Sequence, residues 1–330
     1  MSEYIADLVS VVIPTYRRSD SLIRAITSVK NQTYPDIEII VVNDNQVGDE
    51  FSLDLYKKMS AFESDDNVFL VEQEKHINGA AARNAGIKRA KGEYIAFLDD
   101  DDYWDSHKIE HQIKVLKSLD SSWGAVGCLT IHVNGRSILH VGLPYKDGNV
   151  FHEVLQRTVG LGTGSLLMRR ASVDETGYFD ESLKRHQDIQ FFGYFCSKYK
   201  VKLLKEYLYY VDHKDASNRP DVNSIKKVKQ DFYQSVKPLI DSMSNKEKNK
   251  FFIMNDFEIG VVEWRSGYKS NGMKKMIRIF RYPSTAFKSL KRILRRISGK
   301  KFKNLYLRKY AQPDNNIDNR IISHDSKRII

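Results

Sequence analysis

The stretch Tyr94-Ile-Ala-Phe-Leu-Asp-Asp-Asp-Asp-Tyr-Trp104 decides the fold. Its first five residues are mostly apolar and read as a short buried strand. Four consecutive carboxylates follow where that strand surfaces. Charged groups are rarely buried without a partner or a metal. In an open α/β sheet, ligands bind just outside the carboxyl ends of the strands. An oxygen-rich cluster there suits a hard divalent ion such as Mg²⁺ or Mn²⁺, which in turn holds a diphosphate. Taken alone, the four acids fit equally well a solvated turn capping the helix that starts near Ser106.

Around this stretch, strand and helix alternate. Residues 8–16 form a β-branched run ending in Pro14-Thr-Tyr16, and residues 37–42 form a second buried strand ending in Asn43-Asp-Asn45. Between them Leu22, Ile23, Ile26 and Val29 give a helical stripe, with Ser19 or Asp20 as its cap. A helix over 50–62, a strand over 68–71 and an Ala-rich helix over 78–90, stopped by Gly92, precede the acidic strand. A helix over 106–119 follows it. Strict alternation implies a parallel sheet with helices on both faces. No GxGxxG follows the first strand and no GxxxxGK[ST] occurs, which argues against a dinucleotide Rossmann domain and a P-loop NTPase.

Past residue 120 the pattern changes. Residues 125–133 and 137–141 read as a hairpin around Asn134-Gly135, and 160–168 as a glycine-rich loop entering a strand. Gly177-Tyr-Phe-Asp-Glu181 is a turn, 188–198 a helix and 201–211 extended. Residues 222–298 read as helical, with a break at 267–272 and a last helix starting at Pro283. Ser217-Asn-Arg-Pro-Asp221 marks a boundary near 215–222. The expected organisation is an α/β unit over 1–218, with halves 1–119 and 120–218, then a helical basic region over 219–312 and a polar tail over 313–330.

The 330 residues are 41% hydrophobic and 29% charged, a soluble globular composition. Two cysteines, Cys128 and Cys196, without CxxC or Cys/His ligand spacing, argue against a disulfide scaffold and a zinc site and suit the cytosol. The N-terminus lacks the pattern of a signal peptide, and no run of about 18 apolar residues is present. The net charge of +11 is local: residues 265–309 hold 16 Lys and Arg and no acid, leaving 37 basic against 42 acidic residues elsewhere. Within them Phe287, Leu290, Ile293, Leu294 and Ile297 share one helical face, and Lys288, Lys291, Arg292, Arg295 and Arg296 the other. This basic amphipathic pattern suits an anionic membrane surface. It also fits a helix packed on its own protein, or a nucleic-acid patch.

Six stretches, in order, resemble the family 2 glycosyltransferases with the GT-A fold. They are Val9-Ser-Val-Val-Ile-Pro-Thr-Tyr16, Ile39-Ile-Val-Val-Asn-Asp44, Ala81-Ala-Arg-Asn-Ala-Gly86, Phe97-Leu-Asp-Asp-Asp-Asp102, Gly177-Tyr-Phe-Asp-Glu181 and Gln187-Asp188. The resemblance, over roughly residues 8–215, implies a GT-A, Rossmann-like, mostly parallel sheet with helices on both faces, to which the helical basic C-terminal region read above is added. It implies an inverting sugar transferase that uses a nucleotide-diphosphate sugar, most often UDP-linked, with Mn²⁺ or Mg²⁺. Residues 1–119 would take the nucleotide sugar and 120–218 the acceptor.

Carried over residue by residue, the resemblance puts Pro14, Thr15 and Tyr16 beside the nucleotide, with the Tyr16 ring as a face for the base. Asp44 would accept the imide N–H of uracil, although the family usually has Asp-Asp where this chain has Asn43-Asp44. Arg83 would hold a phosphate or ribose-side oxygen. The family's Asp-x-Asp falls on Asp99, facing the ribose, and Asp101, the metal ligand; Asp100 is grouped with the nucleotide contacts. Asp100 and Asp102 also read as extra ligands or as helix-terminal charges. Asp188 matches the aspartate of the family's Glu-Asp pair, with Gln187 in place of the glutamate, and is the expected base toward the acceptor hydroxyl. His186, Gln187, Gly164 and Ser165 are expected on the acceptor side, where a tight turn explains Gly162-Thr-Gly-Ser165 equally well. His213 is the expected late histidine of the metal shell, and Trp104 reads as packing.

The acceptor class implied is a glycan or a polyprenyl-diphosphate-linked glycan. The expected location is cytoplasmic, peripheral on the inner face of the membrane through 284–309, with no nucleic-acid partner and with an oligomer left open. Two rivals are weaker. A sugar nucleotidyltransferase would carry a glycine-rich, Lys/Arg-bearing loop where this chain has Pro14-Thr-Tyr-Arg-Arg-Ser19. A nucleic-acid-binding protein led by its tail leaves Asp44, Arg83 and the four acids without a role.

Overall fold

The β-branched run near the N-terminus has no room for water on either side: Val9, Val11, Val12 and Ile13 are all fully buried. Burial on both faces is the requirement of a central parallel strand. The computed structural model describes residues 4–135, 137–213, 221–283 and 286. Nine strands form one sheet: β1 (Ile5–Thr15), β2 (Ile37–Asn43), β3 (Val68–Glu72), β4 (Gly92–Phe97), β5 (Tyr103–Trp104), β6 (Trp123–Asn134), β7 (Ser137–Val141), β8 (Leu166–Arg169) and β9 (Lys200–Asp212). The order is β3-β2-β1-β4-β8-β6-β9-β5, with β7 pairing β6 as the expected hairpin.

The first half is parallel: β1 lies between β2 and β4, and β3 pairs β2. Connections run through α1 (Ser19–Lys30), α2 (Glu50–Met59) and α3 (Gly79–Arg89), and α4 (Lys108–Lys117) follows the acidic loop. β8 then runs antiparallel between β4 and β6, so the second half continues the same sheet. Alternate residues build the two faces. Val12, Ile40, Val42, Ile95 and Phe97 join one core, while Val11, Ile13, Ile39, Val41 and Ala96 join the other. The register sets Thr15 beside Asn43, and the Leu98 N–H reaches the Val12 carbonyl at 3.0 Å. The ends of β1, β2 and β4 therefore open on one edge, where the candidate residues lie.

The remaining helices are α5 (Phe151–Leu155), α6 (Arg170–Thr176), α7 (Gln187–Lys198), α8 (Val222–Ser235), α9 (Lys237–Asp241), α10 (Asn245–Arg265) and α11 (Lys269–Ile277). The helical region is not a body apart: Phe232, Val236, Leu239, Ile240, Met243 and Phe251 share the core of Val12 and Phe97. An ionic network reinforces this docking. Lys229, fully buried on α8, ion-pairs with Glu258 of α10 and donates to the Asn255 Oδ1 at 2.8 Å, and Arg157 pairs with the same Glu258. The His186 side chain is buried beside them, with Nε2 at 3.9 Å from the Glu258 carboxylate.

Two expectations change. The break expected at 267–272 shrinks, because Gly272 lies inside α11, where α10 and α11 touch. A Cβ on Gly272 would lie 2.6 Å from the Gly260 carbonyl. The helix expected from Pro283 and the amphipathic face of 287–297 lie outside the described residues, as does most of the boundary segment near 215–222.

Two predictions follow from this packing. A Cβ on Gly86 of α3 would sit 2.2 Å from Val12 Cγ1 and 2.9 Å from Val12 Cγ2. Gly86→Ala gains up to about 1 kcal/mol of helix propensity but overpacks a rigid strand at about 1–3 kcal/mol. We expect a net lower Tm, partly restored by the Val12→Ala second change, as a double-mutant cycle by thermal melting would read. The second concerns acid. Burial, with Lys229 and Arg157 behind it, holds the His186 imidazole down to about 3. The unfolded chain binds that proton from about pH 6.5 downward and the folded chain does not. Stability should fall as pH drops from about 6.5 toward 3, by up to about 1.4 kcal/mol per unit. His186→Asn, which tolerates the left-handed backbone there (φ +64°), should flatten that limb in denaturant titrations.

Candidate active site

The acidic loop is a turn, closed by the Asp102 N–H to the Asp99 carbonyl at 3.1 Å, and its four side chains split into two pairs. Asp99 and Asp101 face outward with side chains 34 and 25% exposed, while Asp100 and Asp102 are only about 2% exposed. Asp100 accepts from the Thr15 hydroxyl at 2.8 Å and the Tyr16 N–H at 3.3 Å, and Arg18 Nε lies 3.3 Å away. Asp102 accepts from the Tyr209 hydroxyl and, at 2.9 Å, from the Asp212 N–H. Burial raises both carboxyls, Asp100 to about 7 and Asp102, with repulsion from Asp99 and Asp101, to about 8. Asp100 and Thr15, expected among the nucleotide contacts, are turned inward and bonded to each other.

The outer pair faces cations. Arg83 on α3 donates to Asp99 at 2.5 Å, and Arg18 pairs with Asp101. Arg24 donates to the Asp101 carbonyl at 2.5 Å. The α3 segment that carries Arg83 is braced by Asn84, which donates to the Phe179 carbonyl at 2.9 Å and accepts its N–H at 3.0 Å. That bracing brings the turn containing Gly177 and Phe179, and α7 behind it, toward the acidic loop. Against the burial that lowers it, Asp99 and then Asp188 raise the Arg83 guanidinium, so both acids act on this arginine. Asp188 itself is exposed, one residue into α7.

At the end of β2, Asp44 is buried. It accepts from the Ile77 N–H at 3.2 Å and faces His76 Nδ1 at 2.9 Å. Burial raises its carboxyl against those contacts. The His76 ring also stacks on Tyr16, with centroids 3.9 Å apart and planes 19° from parallel. Neighbouring Asn43 donates to Glu72 at 2.9 Å and to Ser52 Oγ at 3.2 Å. The β2–β3 register sets Asn43 directly beside Glu72, so a carboxylate at 43 would meet a carboxylate. That accounts for the amide at this position.

The residues expected on the acceptor side divide. Gln187 donates to the Leu183 carbonyl at 2.5 Å. His186 is turned inward to the Glu258 network. Ser165 is buried and donates to the Gly162 carbonyl at 2.7 Å. A Cβ on Gly164 would lie 2.4 Å from the Tyr209 ring, and the Gly164 carbonyl accepts from Trp104 Nε1 at 2.9 Å. Those glycine and serine residues form a short 3-10 turn (Thr163–Ser165), the tight-turn reading of the motif. Trp104 is buried packing, with Lys108 over its ring at 3.9 Å. His213, the expected late histidine of the metal shell, packs its imidazole on His132, Nε2 to Nδ1 at 2.9 Å. His76, Arg18 and Tyr209 carry contacts that the sequence reading did not assign. The two arginines beside Tyr16, opposite four acids, were the available signal for Arg18.

A divalent ion is implied by the fold family. Among the described residues, no group of three or more His, Cys, Asp or Glu is placed to hold one. An ion of the Mg²⁺ type needs no such cage, since one or two carboxylates, substrate phosphates and water suffice. The hard oxygens of Asp101 and Asp99, on a loop whose acids repel one another, fit that donor set.

Comparisons with known proteins agree with this geometry. The model of glycosyl transferase family 2 matches residues 10–208. A UDP-Glc:alpha-D-GlcNAc-diphosphoundecaprenol beta-1,3-glucosyltransferase of Escherichia coli, WfgD, is 27% identical over 278 residues, covering 81% of this chain and 98% of its own. The chain spans 25 to 60% of the length of the first four curated relatives it matches. S. aureus TarS 1–349 in complex with UDP-GlcNAc superposes with a TM-score of 0.59 at 18% identity, over 82% of this chain and 79% of that one. The Pyrobaculum calidifontis mannosyltransferase PcManGT, in complex with GDP-Man and Mn²⁺, gives 0.55 at 15% identity, over 97 and 86%. At these identities the two structures speak for the fold alone. The family match spans the ends of β1, β2 and β4 and the acidic loop itself, and the chain belongs to glycosyl transferase family 2, a transferase on the GT-A fold.

Proposed function

We propose that this enzyme moves a sugar, with inversion, from a UDP-sugar to a hydroxyl of a glycan or lipid-linked glycan. The observation that carries the reading is Arg83. One guanidinium answers both to Asp99, on the outer face of the acidic loop, and to Asp188, at the start of α7. A donor diphosphate on the loop and an acceptor hydroxyl at Asp188 would thus meet across a single cation.

In this reading the base stacks on Tyr16 and gives its imide N–H to Asp44. The two contacts needed are those His76 now makes, so the imidazole swings aside when the base enters. Arg83 and Arg18 release Asp99 and Asp101 in favour of the diphosphate and ribose, and their charge offsets that of the phosphates. Asp101, with Asp99, would hold the divalent ion, which supplies Lewis-acid stabilisation of the departing UDP. Asp188 takes the acceptor proton; its exposure leaves room for an incoming hydroxyl. The acceptor class rests on relatives whose names specify diphosphoundecaprenol-linked substrates. A peripheral place on the cytoplasmic face of the membrane goes with that class. The segment 284–309 first expected to mediate it lies almost wholly outside the described residues, of which no helix is long and apolar enough to cross a membrane.

Three variants test the assignment by calorimetry with UDP and by transfer assays. Asp101→Asn is expected to remove the Mn²⁺ dependence of UDP binding. Asp188→Asn should keep UDP binding and lose about 10²-fold or more in kcat; unchanged turnover removes it as the base. His76→Ala should tighten UDP binding about threefold, because the base no longer competes with the ring. Weaker binding would mean that His76 clamps the base instead.

A further inference from the structure

Of the exposed large apolar side chains among the described residues, five fall in one stretch of chain. Trp264, Tyr268, Met273, Ile277 and Phe280 are 39 to 65% exposed, all within the α10–α11 hairpin and the 3-10 turn after it (Arg278–Arg281). Met273, Ile277 and Phe280 recur at i, i+4 and i+7, so they share one side. The inner side of α11 is taken by the glycine contact: a Cβ on Gly260 would lie 2.8 Å from the Gly272 carbonyl. α11 therefore lies flush on α10, and among the described residues nothing covers Met273, Ile277 and Phe280 on its other side.

The charge around this face has one sign. Residues 264–283 contain six Lys and Arg and no acid. Lys275 is paired with Glu263 and Arg278 with Asp256. Arg265, Lys269, Lys274 and Arg281 are exposed and form no ion pair among the described residues. Aromatic residues and aliphatic ones rimmed by such cations are the composition of an interfacial membrane surface. A nucleic acid would use the cations but leave Met273 and Ile277 in water. The stretch just downstream, residues 287–309, adds ten Lys and Arg and no acid, and a second copy would bring the same basic face, so either would set like charge on like.

We infer that the outer face of α11, with Phe280 after it and Trp264 beside it on α10, is a docking surface for an anionic lipid bilayer, lying at headgroup depth. Its use rests on the lipid-linked acceptor reading, which it would bring within reach of Asp188. Its test does not. It also differs from attachment by a charged tail alone, because it requires apolar side chains to leave water.

The experiment is vesicle binding by the full chain, followed by co-sedimentation and tryptophan emission. Phosphatidylglycerol-containing vesicles should bind the protein, shift its emission to the blue and quench it when the lipid is brominated. Trp264→Phe should remove the lipid-induced shift. Ile277→Ser with Phe280→Ser should lower the partition coefficient about tenfold or more, and Lys274→Gln or Arg281→Gln about fivefold each at low salt. UDP binding and Tm, unchanged in these variants, show that the fold is intact. Vesicle binding without a Trp264 response, or indifferent to the Ile277 and Phe280 changes, overturns the inference and leaves only electrostatic attachment. So does an emission shift that appears on self-association or RNA addition and not with vesicles. If vesicles insert Trp264 while UDP never binds, the donor reading fails and this surface stands.

Discussion

Burying two carboxylates beside two half-buried ones is the constraint on which the site depends. A buried carboxylate is tolerable only when its oxygens are satisfied. Asp100 finds Thr15, Tyr16 and Arg18; Asp102 finds Tyr209 and the Asp212 N–H. These contacts bolt the acidic turn to the ends of β1 and β9. The turn cannot relax by moving away from its own charge, so Asp99 and Asp101 are held where repulsion is strongest. Burial, with repulsion from Asp99 and Asp101, pushes the inner carboxyls toward 7 and 8, and the negative outer pair attracts cations. Arg18 and Arg83 answer it in the free protein.

How much of this was legible in the sequence depended on whether a residue's role was local. The parallel half of the sheet was readable because each buried strand is a continuous apolar run ended by a turn. The hairpin around Asn134-Gly135 was readable for the same reason. A two-residue strand such as β5, set by pairing with β9, has no such signature. In the site, the acidic cluster and Asp44 stood out as charges at strand ends. The inward turn of Asp100 and Thr15 did not, because only their tertiary partners decide which way they face. Asn43 looked like a departure from a family pattern until the register with β3 put Glu72 beside it. His76 sits in a loop without periodicity, and nothing in its neighbours' sequence signals the ring of Tyr16.

The helical region does more than cover the sheet. Lys229 and Glu258 close a salt bridge against the segment that enters α7, with His186 buried against them. Breaking a buried pair strands the remaining charge, so α8 and α10 resist sliding past α7. The start of the helix that carries Asp188 is thus held from behind by residues far along the chain.

Tyr209 joins two parts of the molecule that have separate tasks. Its hydroxyl serves Asp102 in the acidic turn, and its ring fills the space where residue 164 would otherwise carry a side chain. Position 164 is therefore closed to every amino acid with a Cβ while 209 is aromatic. Loss of the ring would free the turn at 163–165 and unpair Asp102 in one step. A side chain can enter at 164 only together with the loss of the Tyr209 ring, which leaves Asp102 to find another donor.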